Sequence, residues 1–296
     1  MEHRRTRPSG RKRRYRVLWA LLAIALFLAF DLYMSNAVLQ LEHISLSSAR
    51  LPAAFDGFTV TQISDAHARR FGEGNSELFD MVGQTEPDII VITGDLAEKH
   101  TELAYVRELV TGLRAIAPVY YVTGNHEWGA DWTAVRLGGE RFTPSLFSLL
   151  EECGAVLMDS RAETIRRGQD TVWIAGLCDP NGPASSKKID QVLAEPRAGG
   201  DDPFILLLSH RYEMFDDYVR AGADVTMAGH AHGGMIRLPF TDGLFGPGQT
   251  LFPKRTSGLY RENRAAMVVS RGLGPTIMPR LFNRPHVVAL TLHSEN

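Results

Sequence analysis

Short polar segments stand directly after apolar, strand-like runs in this chain, and this alternation constrains its fold more than any other feature. Five apolar runs, each about the length of one strand, are followed at once by Asp, His, Asn or Gly residues. The run DIIVIT is apolar throughout, as expected for a strand that is covered on both faces. The five polar segments are Asp65-Ala66-His67, Gly94-Asp95, Gly124-Asn125-His126-Glu127, Ser209-His210 and Gly229-His230-Ala231-His232.

Helix-like stretches alternate with the strand-like runs. Apolar residues recur at helical spacing in residues 76–85, 103–113 and 144–152. Residues 155–176 are predicted to form a hairpin, with AVLMD and TVWIAG as its strands and a polar turn at 166–170. Residues 233–263 are rich in Gly and Pro and predict a long loop near the site. The order favours mixed sheets packed face to face beneath outer helices.

The N-terminal segment is first basic and then apolar, unlike the rest of the chain. Residues 1–16 carry a net charge of +7, which leaves −9 on residues 17–296. The apolar run VLWALLAIALFLAF precedes Asp31, and a weaker stretch continues to Leu39. A helix over residues 17–39 would be about 34 Å long, which is enough to cross a bilayer. The acidic body argues against tight binding to a nucleic-acid backbone.

Three interpretations of the N-terminal segment are open at the level of sequence. The cation cluster favours an uncleaved signal anchor, with the N-terminus in the cytoplasm and the domain outside it. The alternatives are a signal peptide cleaved near Ser35-Asn36-Ala37, which would secrete the domain, and a buried core helix. The anchor interpretation divides the chain into a basic cytoplasmic tail (1–16), a transmembrane anchor (17–39), a connector (40–57) and a domain (58–296).

The polar segments offer ligands for metal ions. Asp65 and His67 are two apart on an extended segment, so both side chains are predicted to reach one ion. Asp95 beside Gly94 is the candidate to bridge two cations, with one carboxylate oxygen for each. His230 and His232, flanked by glycines, are difficult to explain as packing residues and favour a ligand role.

The other polar segments add an amide and further imidazoles. The side-chain carbonyl of Asn125 is a ligand for hard cations, and the adjacent His126 is a candidate for proton transfer. Glu127 is interpreted as a residue at the site edge or at a helix start rather than as a ligand. His210 is ambiguous, since a lone histidine after a strand is more often structural.

In this order, the segments resemble the five signature blocks of the calcineurin-like metallophosphoesterases, from about residue 58 to the C-terminus. The N-terminal anchor, the stretch GHAHGGMIRLP and the stretch SRGLG are similar to the membrane-anchored or exported bacterial branch of that family. The resemblance implies an α/β fold, a four-layer α/β/β/α sandwich of two mixed sheets. It also implies an unliganded catalytic histidine at His126. It implies two metal ions, one held by Asp65, His67, Asp95 and His232, the other by Asp95, Asn125, His210 and His230.

The activity implied by the resemblance is hydrolysis of a phosphoester, most simply a phosphodiester, by a metal-bridging hydroxide with His126 assisting. Mixed nitrogen and oxygen ligation suits two divalent ions drawn from Mn, Fe, Zn or Co. Arg237 and Arg271 are candidate contacts for the substrate phosphate, because a guanidinium fork fits it. The alternative for both arginines is surface salt bridging.

Other functions remain open at this point. The anchor and the mostly apolar LFGPGQTLF favour a pyrophosphatase acting on a nucleotide-linked lipid of the UDP-diacylglucosamine type. A non-catalytic metal-binding scaffold would lack ligands or the catalytic histidine, and all of these are present. The segment Asn283-Arg284-Pro285-His286 departs from the family pattern and leaves the substrate open. Cys153 and Cys178 are either two free thiols or one disulfide.

Overall fold

The computed structural model describes residues 10–97, 103–128, 143–238 and 241–295. Residues 1–9 of the predicted basic tail lie outside these ranges. The α-helices are α1 (Gly10–Ala37), α2 (Ser76–Gly83), α3 (Leu103–Arg114), α4 (Thr143–Glu152), α5 (Ile189–Ala194) and α6 (Phe215–Ala221). The strands are β1 (Gln40–Ser48), β2 (Phe58–Ile63), β3 (Ile89–Thr93), β4 (Val119–Val122), β5 (Val156–Leu157), β6 (Arg161–Arg167), β7 (Asp170–Gly176), β8 (Ile205–Arg211), β9 (Val225–Gly229), β10 (Gly258–Glu262), β11 (Ala265–Val269) and β12 (His286–Ser294).

Two six-stranded mixed sheets form the centre of the domain. The first sheet has the order β1-β12-β2-β3-β4-β5, and the second has the order β10-β11-β9-β8-β7-β6. Strands β2 to β5 are parallel to one another, as are β7, β8, β9 and β11. The parallel strands of each sheet therefore end at a common edge, where their following loops meet.

Apolar side chains fill three layers around the sheets. One layer packs α2, α3 and α4 against the first sheet, and it includes Leu78, Leu109 and Leu150. A second layer lies between the sheets, and a third packs α5 and α6 against the second sheet. The result is the α/β/β/α sandwich that the sequence predicted, because each apolar run is buried between two layers.

Three segments differ from the sequence-based prediction, and one of them is β10, a strand within the loop predicted over residues 233–263. Residues 40–48, expected in a connector, form β1 and pair in parallel with β12. The expected hairpin strand AVLMD instead contributes β5 to the edge of the first sheet. The hairpin partner of β7 is β6, whose sequence is RAETIRR. β6 is an edge strand with one solvent-facing side, so charged residues replace the apolar pattern that marks an interior strand.

Helix α1 extends from the domain. The part Lys12–Ala37 is long and apolar enough to cross a membrane, judged by its length and composition. Its side chains are exposed over most of its length, and burial begins only near its end, at Ser35.

Candidate metal centre

The candidate ligands lie at the carboxyl edge shared by the two sheets. Asp65 follows β2, Asp95 follows β3 and Asn125 follows β4. From the second sheet, His210 lies near the end of β8 and His230 follows β9. The pairing of β8 with β9 shifts register between Leu208 and Arg211. This irregularity changes the direction of the side chains near the end of β8, where His210 lies.

The first group of ligands consists of Asp65, His67 and His232. The Nε2 atoms of the two histidines are 3.3 Å apart, and His232 Nε2 is 3.6 Å from Asp65 Oδ1. Ser64 Oγ donates to Asp65 Oδ2 at 2.5 Å, and the backbone N–H of His230 donates to Asp65 Oδ1 at 3.1 Å. These bonds fix the carboxylate in the orientation that faces the two imidazoles.

The second group consists of Asp95, Asn125, His210 and His230. His210 Nε2 lies 3.2 Å from Asp95 Oδ2, 3.2 Å from Asn125 Oδ1 and 3.0 Å from His230 Nδ1. Asp95 Oδ2 is also 3.9 Å from His67 Nε2 in the first group. Asp95 thus stands between the two groups, and the structure brings all seven predicted ligands together.

The donor set fits cations at this position. His210 Nδ1 lies 2.8 Å from the carbonyl oxygen of Thr93, so this nitrogen donates, and Nε2 is left to take a metal ion or a second proton. The lone pair of Nε2 then faces two oxygen acceptors, Asp95 Oδ2 and Asn125 Oδ1. Acceptors that converge in this way repel one another unless a proton or a metal ion lies between them.

Backbone strain is concentrated on the same residues. Asp65, His67, Asp95, His230 and His232 have φ values of 48°, 46°, 52°, 66° and 47°. This left-handed region is uncommon for residues other than glycine, although Asp and His tolerate it better than most. Each such residue costs about 1 kcal/mol or more and persists only where its surroundings enforce it. Five strained residues at one edge indicate a functional site.

Two glycines allow the loops to approach this closely. A Cβ atom on Gly124 would collide with Asp95 Oδ1, and one on Gly229 would collide with Ser64 Oγ. The glycines of the GNHE and GHAH segments are therefore required by space around the carboxylates.

Burial and neighbouring charges shift the pKa values of the ionisable groups at the centre. Burial opposes ionisation of Asp95, but His210 and the neighbouring imidazoles outweigh it and hold the Asp95 pKa well below its usual range. Burial also opposes protonation of His210, and Asp95 overrides it, raising the pKa of His210 to about 10. Burial and adjacent positive charge lower the pKa values of His230 and His232, so both rings are neutral, as ligands must be.

His126 differs from the other histidines of the site in its exposure. Its side chain is 29% exposed, whereas His210 is fully buried. The ring packs edge-on against His67, and His126 Nε2 is 3.9 Å from Asp95 Oδ2. Its backbone N–H donates to Asp95 Oδ1 at 2.9 Å. The imidazole of His126 thus stands at the more exposed side of the centre.

Glu127 has a structural role that its sequence position did not reveal. Its buried carboxylate accepts backbone N–H bonds from Leu96 at 2.8 Å, Asp95 at 3.0 Å and Gly124 at 2.7 Å. Burial and the nearby Asp95 raise the pKa of Glu127. One side chain therefore joins the loops after β3 and β4, which carry Asp95 and Asn125. This role can be seen only in the folded structure, where the loops after β3 and β4 lie side by side.

We expect the substitution Glu127→Ala to lower the free energy of unfolding by about 3 kcal/mol, because it leaves several buried N–H groups without acceptors. Urea denaturation of the full chain in detergent measures the change. Glu163→Ala is a matched control, since it removes only a partly exposed ion pair with Arg161 and should cost less than about 1 kcal/mol. Equal effects of the two substitutions would contradict the assignment.

The two predicted substrate arginines have protein partners. Arg237 Nη1 donates to the carbonyl oxygens of Gly233 and Asp242 and to Thr256 Oγ1. Arg271 Nη2 donates to Gln40 Oε1 at 3.1 Å. Neither arginine lines the cavity beside His230. Their contact with substrate stays a prediction.

Arg211 is a further candidate for contact with the substrate phosphate, and the sequence analysis did not identify it. Its guanidinium pairs with both oxygens of Asp179, at 2.6 and 3.1 Å, and Nη1 donates to His230 Nε2 at 2.8 Å. Arg211 borders a cavity of about 730 Å³ that opens beside His230. The other residues lining this cavity are Asn125, Asn181, Tyr212, Glu213, Asp216, Pro247, Gly248, Thr250, Pro253, Lys254 and Arg255. The sole sequence signal was the position of Arg211 directly after His210.

The chain is similar to known proteins over most of its length. The family model for calcineurin-like phosphoesterases matches residues 58–234, which span the five polar segments. The uncharacterized metallophosphoesterase YkuE of Bacillus subtilis is 26% identical over 279 residues, covering 89% of this chain and 89% of that protein. The phosphodiesterase YaeI of Escherichia coli is 25% identical over 239 residues, covering 79% of this chain and 82% of that protein.

A vertebrate relative is similar over a still larger share of this chain. The transmembrane protein with metallophosphoesterase domain of Danio rerio is 26% identical over 291 residues. The alignment covers 92% of this chain and 62% of that protein.

Proposed function

This chain belongs to the calcineurin-like phosphoesterase family, and on that premise we propose that it is a two-metal phosphodiesterase anchored to a membrane. The observation that carries the proposal is the position of Asp95 between the two ligand groups, 3.2 Å from His210 Nε2 and 3.9 Å from His67 Nε2. A shared carboxylate is what a pair of divalent ions requires. The name of the YaeI relative supports a diester as the substrate class.

The residues would divide between metal binding and substrate handling. Asp65, His67 and His232 would hold one ion, and Asn125, His210 and His230 the other, with Asp95 shared. When bound, such ions act as Lewis acids and lower the pKa of water. Mn, Fe, Zn or Co all suit this mixture of imidazole, carboxylate and amide ligands.

His126 would supply a proton to the leaving oxygen of the substrate. It is the partly exposed imidazole at the open side of the centre, so its ring can meet an entering phosphoester without leaving its packing on His67. Arg211 would contact a non-bridging phosphate oxygen, since its fork is already oriented by Asp179 at the cavity wall.

The proposal is tested by metal removal and return. We expect the full chain, treated with a chelator, to lose hydrolysis of bis(p-nitrophenyl) phosphate and to recover it with Mn²⁺. Metal should also raise unfolding stability, by about 2.7 kcal/mol at a hundredfold excess over Kd. Absence of turnover with any of Mn, Fe, Zn or Co would refute the enzyme assignment.

The substitution Arg211→Lys tests whether Arg211 or Arg237 contacts the substrate phosphate. Lysine keeps the charge but loses the planar fork, so we expect KM for the diester to rise about tenfold. The matched control is Arg237→Lys, whose parent guanidinium bonds to loop carbonyls away from the cavity. Steady-state kinetics distinguish them. A larger rise in KM for Arg237→Lys than for Arg211→Lys would show that Arg237 contacts the substrate instead.

A second candidate substrate is a lipid-linked pyrophosphate of the UDP-diacylglucosamine type. The cavity beside His230 carries Arg211, Lys254 and Arg255, and these cations suit a second phosphate group. A panel of diesters, monoesters and nucleotide pyrophosphates discriminates the two candidates. Preferential turnover of a pyrophosphate would favour this one.

We also propose that α1 is retained as an anchor, with the N-terminus in the cytoplasm and the domain outside it. The basic residues at the start of α1 and the transmembrane designation of the Danio rerio relative support this arrangement.

A further inference from the structure

The exposed large apolar side chains of the described domain are confined to a few loop segments. Outside α1, the described residues with such side chains are Leu238, Leu251, Phe252 and Ile277, between 43% and 81% exposed. We call these four residues the apolar rim. Scattered apolar residues are normal on a protein surface, but confinement to particular segments indicates an interaction surface.

Backbone hydrogen bonds join these segments side by side. The N–H of Arg237 donates to the carbonyl oxygen of Leu281 at 2.9 Å. Leu244 donates to Ile236 at 2.8 Å, and Phe252 donates to Leu244 at 3.0 Å. The segments around residues 237, 244, 252 and 281 are therefore neighbours in space, and all four residues of the apolar rim lie in or close to these segments along the chain.

The end of α1 is fixed to the same surface. Asn36 Oδ1 accepts the N–H of Arg280 at 3.0 Å, and Asn36 Nδ2 donates to the Arg280 carbonyl oxygen at 2.8 Å. Asp31 Oδ2 accepts the N–H of Phe282 at 2.7 Å, and the rings of Phe27 and Phe282 are 6.0 Å apart. Asp31, which interrupts the apolar run, thus has a partner in the domain.

The proposed anchoring of α1 sets the depth at which this contact lies. A span needs about 20 residues, so a span that begins after Arg16 ends near Asn36. Asp31 lies about 7.5 Å deeper along the helix than Asn36. Phe282 meets the helix at Asp31 and Phe27, and hence at a depth within the outer apolar layer. With α1 anchored in this way, the loop that carries Phe282 reaches into the outer apolar layer.

A single residue, Arg280, connects this contact with the metal centre. The backbone of Arg280 pairs with Asn36, while its Nη2 donates to Gly274 and lies 3.5 Å from His232 Nδ1. Asn283 Nδ2 donates to the carbonyl oxygen of His232 at 2.8 Å. On the other side, the cavity wall at Pro247, Gly248 and Pro253 flanks Leu251 and Phe252 of the apolar rim.

We propose that the apolar rim rests in the bilayer that α1 crosses, so that the metal centre takes its phosphoester from a lipid in the headgroup layer. The apolar faces of the rim and of α1 need the same hydrocarbon surroundings, and the hydrogen bonds of Asn36 and Asp31 hold them in register. The substrate part rests on the proposed activity, and the membrane contact rests only on the proposed anchoring of α1.

Depth-dependent fluorescence quenching tests the membrane contact without any metal. Bimane is attached to single cysteines at Leu251→Cys or Ile277→Cys in a Cys153→Ser, Cys178→Ser background, with one full chain per lipid nanodisc. Gln169→Cys is the control, because Gln169 is exposed in the β6–β7 turn at the sheet edge opposite the metal centre. We expect lipids with a shallow doxyl group to quench bimane at 251 and 277 at least about threefold more than at 169.

Equal quenching at all three positions would overturn the membrane contact. So would a blue shift that appears only at high protein density, since a second copy of the chain would then cover the rim.

A kinetic comparison in the native-cysteine chain tests the substrate part. We expect Leu251→Ser/Ile277→Ser to lower turnover of a vesicle-borne phospholipid about tenfold and to leave turnover of a soluble diester unchanged. Equal loss on both substrates, or on neither, would overturn the lipid assignment. Quenching at the rim with no turnover of any phosphoester would retain the membrane contact and refute the proposed function instead.

Discussion

Asp95→Asn is expected to reduce kcat toward a phosphodiester by about 10³-fold or more and to leave fewer than two bound metal ions per chain. Asp95 is the one candidate ligand within 4 Å of imidazoles in both groups, at 3.2 Å from His210 Nε2 and 3.9 Å from His67 Nε2. An amide offers one weak oxygen ligand in place of two charged oxygens, so it cannot serve both ions equally.

Metal analysis of the purified full chain, together with steady-state kinetics, measures this effect. Asp159→Asn is a matched control, because Asp159 is also a mostly buried carboxylate and accepts hydrogen bonds from Thr123 rather than facing the histidines. The control should lower stability and keep both ions. If Asp95→Asn binds two ions and turns over at the wild-type rate, the shared-carboxylate geometry is wrong.

His126→Ala is expected to lower kcat by about 10²- to 10⁴-fold while the metal content stays unchanged. The substitution removes the imidazole at the open side of the centre but keeps the backbone N–H that donates to Asp95 Oδ1. Metal-ligand geometry should therefore survive, and the loss should fall on proton transfer to the leaving oxygen.

The leaving group provides a diagnostic measurement. A p-nitrophenolate leaves with little need for a proton, so His126→Ala should impair its release much less than that of an alkoxide. His43→Ala, at an exposed histidine of β1, controls for the loss of an imidazole elsewhere. Loss of metal from His126→Ala, or an equal rate loss with both leaving groups, would show that His126 does not act as the acid.

The interior strands and the polar segments after them were predictable because their signals are local. β3 is apolar throughout, and Asp95 follows immediately in the sequence. Edge elements were harder to predict. β6 is polar on its solvent side, and most residues of β1 are at least partly exposed. Neither strand therefore shows the continuous apolar run that predicts a strand from sequence.

The roles of single polar residues depended on partners far along the chain. Glu127 binds backbone groups about 30 residues away, and Arg211 pairs with Asp179, 32 residues earlier. Asn36 and Arg280 are separated by 244 residues. Nothing in the neighbourhood of each residue distinguishes it from an ordinary surface polar group.

The sequence alone determined which chemical groups stand at the ends of which strands, because strand periodicity and glycine-flanked turns are properties of adjacent residues. Cys153 and Cys178, left open as thiols or a disulfide, are free in the structure. Only the tertiary structure decided that two sheets bring β2, β3, β4, β8 and β9 to one edge, which nitrogen of each histidine faces the centre, and where α1 meets the domain. These depend on contacts between distant residues, which packing of the whole chain selects and no local pattern encodes.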